Sequence, residues 1–224
     1  LQVISTRLPL WQTMKSIWWH VLLRLWPTVT SSRCIMHKPQ FNNLYDYWHW
    51  PNFFNENQIA DMHNIFRTNK VNDAEDHAAG GKTKKVNLVM THYGHLRPQL
   101  YSLEQSIFKI NQDFFGYNIW PQFDDNMVIL NEYDSNVKGE YDWHVDSSSC
   151  HTYDMKYTVL INASLAPYQG GKFSYFRSGE KQIDELDNPG NVIMFKSQLS
   201  HKVYPVLKGK RYSIALFYMG PRFV

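Results

Sequence analysis

Cysteine is scarce: Cys34 and Cys150 are the only two in 224 residues, and they form no CxxC pair. That excludes a disulfide framework and makes a reducing compartment, the cytoplasm, the expected location. Acidic residues are missing from positions 1–35, where Arg7, Lys15, Arg24 and Arg33 stand. The net charge of +3 therefore belongs to this leader, because positions 36–224 hold 19 basic and 20 acidic residues. A near-neutral main domain carries no electrostatic footprint for nucleic acid, so none is expected as a partner. Long apolar runs are missing too. In the leader, Leu10, Met14, Ile17, Val21 and Leu25 recur at helical spacing. Lys15, His20 and Arg24 interrupt them short of the ~20 apolar residues that a membrane span requires. No small-residue cleavage site follows, which argues against a secretory signal. Residues 1–35 are read as a leader whose status stays open: upstream translated sequence ahead of a start at Met36, a transit-like segment, a peripheral amphipathic helix or a disordered tail. Residues 36–224 are read as one domain.

What is present is a folding composition, 43% hydrophobic and 16% aromatic. "YDYWHWPNFF", 45–54, predicts an aromatic strand and a turn, with core roles for its rings favoured over a substrate-binding patch. "NENQIADMHNIFRTN" predicts a helix capped by Asn55, with Ile59, Met62, His63 and Phe66 on one face. The polar, glycine-bearing stretch 71–85 predicts a mobile loop. "KVNLVMTHYGHL" reads as a strand, and 100–116 as a second helix striped by Leu103, Ile107, Ile110 and Phe114 and ended by Gly116. Beyond Pro121 the period shortens to strands: "NMVILNEYD", "EYDWHVD", "MKYTVLINAS", "GGKFSYFR", "NVIMFKS", "HKVYPVLKG" and "RYSIALFYMG", separated by turn signals. Two helices followed by seven or more short strands predict a mainly β domain with flanking helices and a jelly-roll core.

Within "EYDWHVDSSSC" stand His144 and Asp146. On a strand, residues two apart project to one side, so this pair would present an imidazole and a carboxylate to one point. The dyad alone is poor evidence, because ten histidines and 13 aspartates in 224 residues make about 0.6 such pairs by chance. A third donor raises it: His201 heads an independent strand 55 residues downstream and would complete two histidines and one carboxylate. Such a triad fills one face of an octahedral Fe(II) and leaves positions open, whereas a closed zinc site wants four protein ligands. Arg211, with Ser213 two residues on, suits bidentate capture of a carboxylate if its strand faces inward. The remaining histidines, His49, His63, His92 and His95, lack a carboxylate partner at ligand spacing and read as core or surface residues, and His151 lies beyond the Ser-Ser-Ser-Cys run.

"YDSNVKGEYDWHVD", "YQGGKFSYF" and "NPGNVIMFKSQLSHKVYPVLKGKRYSIALFY" together resemble the iron(II)/2-oxoglutarate-dependent dioxygenases, in particular their prolyl 4-hydroxylase-like branch. The ordered match runs over 133–213. The resemblance implies a double-stranded β-helix in which His144, Asp146 and His201 ligate iron. It further implies that Arg211 binds the distal carboxylate of 2-oxoglutarate, supported by Ser213 and the hydroxyl of Tyr133, while Tyr141 lines the pocket. Tyr133 and Tyr141 stand eight apart, where the branch usually has seven. Gly170 and Gly171 are read as serving strand geometry, and Lys156 and Tyr157 as core or surface residues rather than pocket ones.

The implied cofactors are Fe(II), 2-oxoglutarate and dioxygen, with ascorbate as an accessory reductant. The implied reaction hydroxylates an unactivated C–H bond, first of all in a prolyl residue of a protein or peptide, and releases succinate and CO2. Lysyl or small-molecule hydroxylation is the alternative, as is a non-catalytic metal-binding jelly roll. Nucleobase demethylases of the superfamily carry a second arginine six residues after the first. Phe217 occupies that position here.

Overall fold

The computed structural model describes residues 45–71, 84–146 and 152–223, all within one compact unit spanning Pro39–Val224. The leader, Cys34, Cys150, His151 and most of the expected 71–85 loop lie outside the described residues. No described helix is long and apolar enough to cross a membrane.

Strand β1 (Tyr47–Trp50) leads through a turn to helix α1 (Glu56–Thr68). Asn55 accepts the Gln58 N–H while the Gln58 side chain accepts the Asn55 N–H, a reciprocal cap that fixes where α1 starts. Ile59, Met62 and Phe66 form its buried stripe. Lys84 and Lys85 are not loop: as β2 (Lys84–Lys85) they pair with Glu140 and Tyr141. Strand β3 (Asn87–His92) then runs directly into α2 (Tyr93–Ile110), seven residues earlier than predicted. Pro98 disguises that start, because a proline inside a helix lacks the N–H that the ladder requires. A π-turn (Asn111–Phe115) follows, and Gly116 ends it with φ 71°.

The strands that follow are β4 (Met127–Asp134), β5 (Glu140–His144), β6 (Asp154–Asn162), β7 (Gln169–Gly170), β8 (Phe173–Phe176), β9 (Glu180–Gln182), β10 (Val192–Lys196), β11 (Ser200–Val203), β12 (Val206–Lys208) and β13 (Lys210–Gly220). They build a major sheet in the order β1-β10-β6-β13-β4-β3, a minor sheet in the order β2-β5-β11-β8-β9, and a small β12-β7 ribbon. Every pairing is antiparallel. This is the jelly roll that the strand pattern predicted.

Period-2 alternation sorts each strand of the major sheet between two cores. Val159, Ile161, Ile214, Leu216 and Tyr218 pack against the helix residues Ile59, Met62, Phe66, Leu96, Leu100, Leu103 and Ile107. The intervening Leu160, Ala215, Ile193 and Phe195 face inward, onto Phe173, Tyr175 and Val203 of the minor sheet. Trp48 and Trp50 pack beside the first core and Tyr47 beside the second, so the aromatic run at 45–54 is structural.

Leu216 is 1% exposed between β13 and the helices. Leu216→Ala is expected to cost ~2–5 kcal/mol in urea unfolding. Leu207, 72% exposed, should tolerate the same change within about 0.5 kcal/mol.

Candidate metal centre

The inward faces of the two sheets enclose a cavity of about 200 Å³, lined in part by Tyr133, Tyr141, His144, Asp146, Thr158 and His201. His144 and His201 are direct cross-strand partners in the β5–β11 ladder. One step further the register shifts, so that Val203 faces Tyr141. Asp142 and Trp143 together thus oppose Lys202, a β-bulge. Its consequence is chemical: Tyr141 and His144, three apart, both face the cavity. Their rings stack with centroids 3.5 Å apart and planes 14° off parallel.

Asp146 lies two residues past the end of β5, not on the strand as the alternation argument assumed. Its backbone N–H donates to the Ser197 carbonyl at 3.1 Å, which ties the segment after β5 to the residue that follows β10. The Thr158 hydroxyl donates to Asp146 Oδ2 at 2.8 Å and orients the carboxylate. Asp146 Oδ1 is then 3.6 Å from His144 Nε2, and Oδ2 is 3.3 Å from His201 Nε2. One donor atom from each of the three residues lies within 4.8 Å of the others. Donors about 2.1 Å from a cation, at right angles, stand about 3 Å apart, so the cluster is close to coordinating dimensions.

Both imidazoles are oriented alike. His144 Nδ1 bonds the Asp142 carbonyl at 2.7 Å, and His201 Nδ1 bonds the Leu199 carbonyl at 2.9 Å. A carbonyl only accepts, so each Nδ1 carries the proton and each Nε2 turns its lone pair into the cavity. Burial, and then the charge of His201, depress His144 from 6.5 to about 4. Burial pushes Asp146 upward, but the close approach of His201 and then His144, with the hydroxyl that Thr158 donates, outweighs it and holds the carboxyl below its usual range. At neutral pH His144 is therefore a neutral imidazole beside the Asp146 carboxylate, the forms of these two residues that a cation needs.

Arg211 is 1% exposed, and its Nη1 has no hydrogen-bond partner among the described residues. In the β13–β4 register Arg211 sits opposite Tyr133, and Ser213 opposite Asn131. The guanidinium carbon lies 5.3 Å from the Tyr133 ring centroid. Burial raises the Tyr133 hydroxyl to about 12, against Arg211 and a hydrogen bond from Ser213, which pull it down. The eight-residue spacing between Tyr133 and Tyr141 is taken up by a 3-10 turn (Ser135–Val137) and by Lys138 with φ 50°, so both rings still line the cavity. Gly171, with φ 64°, has a role beyond strand geometry: a Cβ there would come within 2.8 Å of Arg211 Cδ.

Of the residues expected at the site, Tyr133, Tyr141, His144, Asp146 and His201 line one cavity, while Arg211 and Ser213 stand on β13 opposite Tyr133 and Asn131 of β4. His63 bonds the Ala163 carbonyl at 2.8 Å, and among the described residues none of His49, His63, His92 or His95 joins a ligand cluster. Tyr157 points to the helices and donates to Asn111 Oδ1 at 2.6 Å. Lys156 is buried with Nζ 3.1 Å from the Phe223 ring centroid. Thr158, Asn131 and Lys84, which also line the cavity, were missed. Thr158 had one usable signal, its alternation with Leu160 on the strand after the dyad.

Residues 128–219 match the model of the 2OG-Fe(II) oxygenase superfamily, the segment that holds the triad and Arg211. A Pseudomonas putida prolyl-4-hydroxylase superposes with TM-score 0.59 at 16% identity, covering 80% of this chain and 95% of its own. A Trichoplax adhaerens prolyl hydroxylase, solved with a hypoxia-inducible-factor peptide fragment, gives 0.59 at 16%, covering 95% and 94%. A non-heme alpha-ketoglutarate-dependent carbocyclase from nogalamycin biosynthesis gives 0.55 at 13%, covering 80% and 81%. No curated protein matches by sequence. The resemblance to the 2OG-Fe(II) oxygenases is thus shown, and the jelly roll is theirs.

A depressed His144 makes the metal-free fold acid-sensitive. The unfolded chain takes up this proton near pH 6.5 and the folded one near 4, so stability is complete above 6.5 and falls as pH drops through that window. Denaturant unfolding from pH 7 to 4.5 should show this slope, and His144→Asn should flatten it. An unchanged slope in the variant contradicts the assignment.

Proposed function

We propose that the chain is an Fe(II)- and 2-oxoglutarate-dependent dioxygenase that hydroxylates an unactivated C–H bond, with a prolyl residue of a peptide as the first-choice substrate. The observation that carries this reading is the buried, unpartnered Nη1 of Arg211 in the fold that holds the triad. A buried cation with an unmet donor is expensive until an anion arrives, and a dicarboxylate that also chelates a metal is such an anion.

In this reading His144 and His201 supply Nε2 and Asp146 one oxygen, a donor set that suits ferrous iron and leaves coordination positions open. Thr158 holds the second carboxylate oxygen. Arg211 takes the far carboxylate of 2-oxoglutarate, with Ser213 and Tyr133 beside it, and Tyr141 braces His144. Iron, 2-oxoglutarate and dioxygen, when bound, would supply the oxidising power: one atom of O2 would end in succinate, formed with loss of CO2, and the other in the hydroxylated C–H bond. Leu160, Phe173, Val203 and Ala215 line the cavity and exclude water from it. Ascorbate would serve as a reductant from solution.

The prolyl choice rests on the motif resemblance and on the two prolyl hydroxylases of like fold. Lysyl or small-molecule hydroxylation is the second reading, which the carbocyclase of like fold favours. A non-catalytic metal-binding module is disfavoured, since such a module would be expected to lack a ligand or the arginine.

Anaerobic Fe(II) with 2-oxoglutarate should give a weak visible charge-transfer band that His201→Ala abolishes. Arg211→Ala should still bind metal but raise the 2-oxoglutarate requirement about 100-fold, the scale of removing one partner of a buried charge pair. Turnover of that variant at wild-type 2-oxoglutarate concentrations would refute the cosubstrate role. Mass spectrometry of proline-bearing peptides for a +16 Da product tests the substrate class.

A further inference from the structure

A second groove, of about 280 Å³, is lined by Trp120, Pro121, Gln122, Phe123, Asn126, Tyr153, Phe217 and Met219. Phe217 lines the metal cavity as well. It follows Arg211, Ser213 and Ala215 on the inward face of β13, so one ring divides the two spaces. The groove's size suits one or two side chains, because a small-molecule site usually occupies about 300–1,000 Å³.

The wall opposite Phe217 has no regular secondary structure, yet it is tied down along its length. Trp120 N–H donates to the Met219 carbonyl at 2.8 Å, along the edge of β13 beyond its last partner in β4. Gln122 Nε2 donates to the Phe217 carbonyl at 2.8 Å, and Gln122 N–H to Glu104 Oε1 at 2.8 Å. Glu104, only 4% exposed, also accepts the Tyr93 hydroxyl at 3.1 Å. Arg97 grips Asp124 Oδ1 and the Gln122 carbonyl, and Phe123 N–H and Asn126 close a tight turn at 2.6 Å. A buried carboxylate is spent on holding an irregular segment in register with β13.

Against that fixed backbone, the rings are left outside. Phe123 is 59% exposed, while Trp120 and Tyr153 meet edge to face at 6.4 Å and leave their other surfaces to the groove. Rigid aromatic side chains lose little conformational freedom on binding and supply large contact area, which is why they anchor recognition surfaces. An apolar patch with a polar rim on a fixed support is a place for a ligand group.

We propose that this groove is a flank subsite: it takes one bulky aliphatic side chain of the peptide substrate, a few residues from the reacting one, while Phe217 separates that side chain from the iron cavity. The inference rests on the oxygenase reading of the cavity. Aliphatic rather than charged residues are selected because the lining offers rings, a thioether and neutral amides. The subsite sets which neighbours a reactive residue must have, and it raises affinity without entering the chemistry.

The test uses the full chain and fluorescein-labelled ten-residue alanine/glycine peptides with one central proline, leucine being placed at each flanking position in turn. Fluorescence anisotropy reads docking without turnover. Leucine at one or two positions on one side of the proline should tighten binding at least about tenfold over the all-alanine peptide, as expected for burying an aliphatic side chain. Trp120→Ala and Phe123→Ser should each erase that increment. Phe123 is exposed enough that its loss leaves folding intact, which circular dichroism verifies. No leucine preference in the wild type, or one that survives in both variants, overturns the subsite. A groove-dependent preference with no +16 Da product from any peptide keeps the subsite and sinks the prolyl reading instead. Product formed without a leucine preference sinks the subsite alone.

Discussion

A guanidinium buried in an aromatic interior is costly unless its donors are met, and among the described residues Arg211 Nη1 has no partner. The surrounding architecture maintains that state. Gly171 has no Cβ to meet the arginine stem, Tyr133 lies across the guanidinium, and β13 carries the residue opposite Tyr133 in its ladder with β4. A lysine in this place would present one compact charge where the arginine presents a fork, and a fork is what a terminal carboxylate matches. The proposed cosubstrate role depends on this unmet donor, which would take the far carboxylate of a dicarboxylate.

At the other end the constraint is conformational. A regular antiparallel ladder would turn Tyr141 and His144 to opposite faces, and the bulge at Asp142–Trp143 turns them to the same one. The backbone then sets the imidazoles, since each Nδ1 is occupied by the carbonyl two residues upstream. The carboxylate arrives from outside the strand, held by Ser197 and Thr158. Three donors from unlike local structures converge without any one of them being free to rotate away, which is how a site keeps its geometry before a cation binds.

Much of this was legible in the sequence, for identifiable reasons. The strands from Met127 onward alternate cleanly because one face packs on helices and the other on the minor sheet, so period 2 survives in the residues themselves. The triad was legible from the His144–Asp146 spacing and from a histidine heading a later strand, although Asp146 lies past the end of β5. What escaped notice lacked a local signature. Pro98 masks the first turns of α2, since a proline says "break" without regard to the tertiary packing that overrides it. Lys84 and Lys85 join the minor sheet through partners 55 or more residues away. Thr158 contacts Asp146 only after two sheets fold together. The segment 117–126 has no periodicity, and its order comes from side-chain bonds to Glu104, Arg97 and β13 rather than from propensity.

In the proposed reading the two spaces that Phe217 borders divide the labour: one would hold a cation and an anion, and the adjoining groove would select what approaches them. The most direct measurement is an anaerobic crystal structure with Mn(II) and 2-oxoglutarate. The account predicts one metal ion bound by Nε2 of His144, Nε2 of His201 and a carboxylate oxygen of Asp146, with the ligand's far carboxylate on Arg211 Nη1. A metal ion bound away from these three residues, or a ligand that leaves Arg211 unpaired, would contradict it.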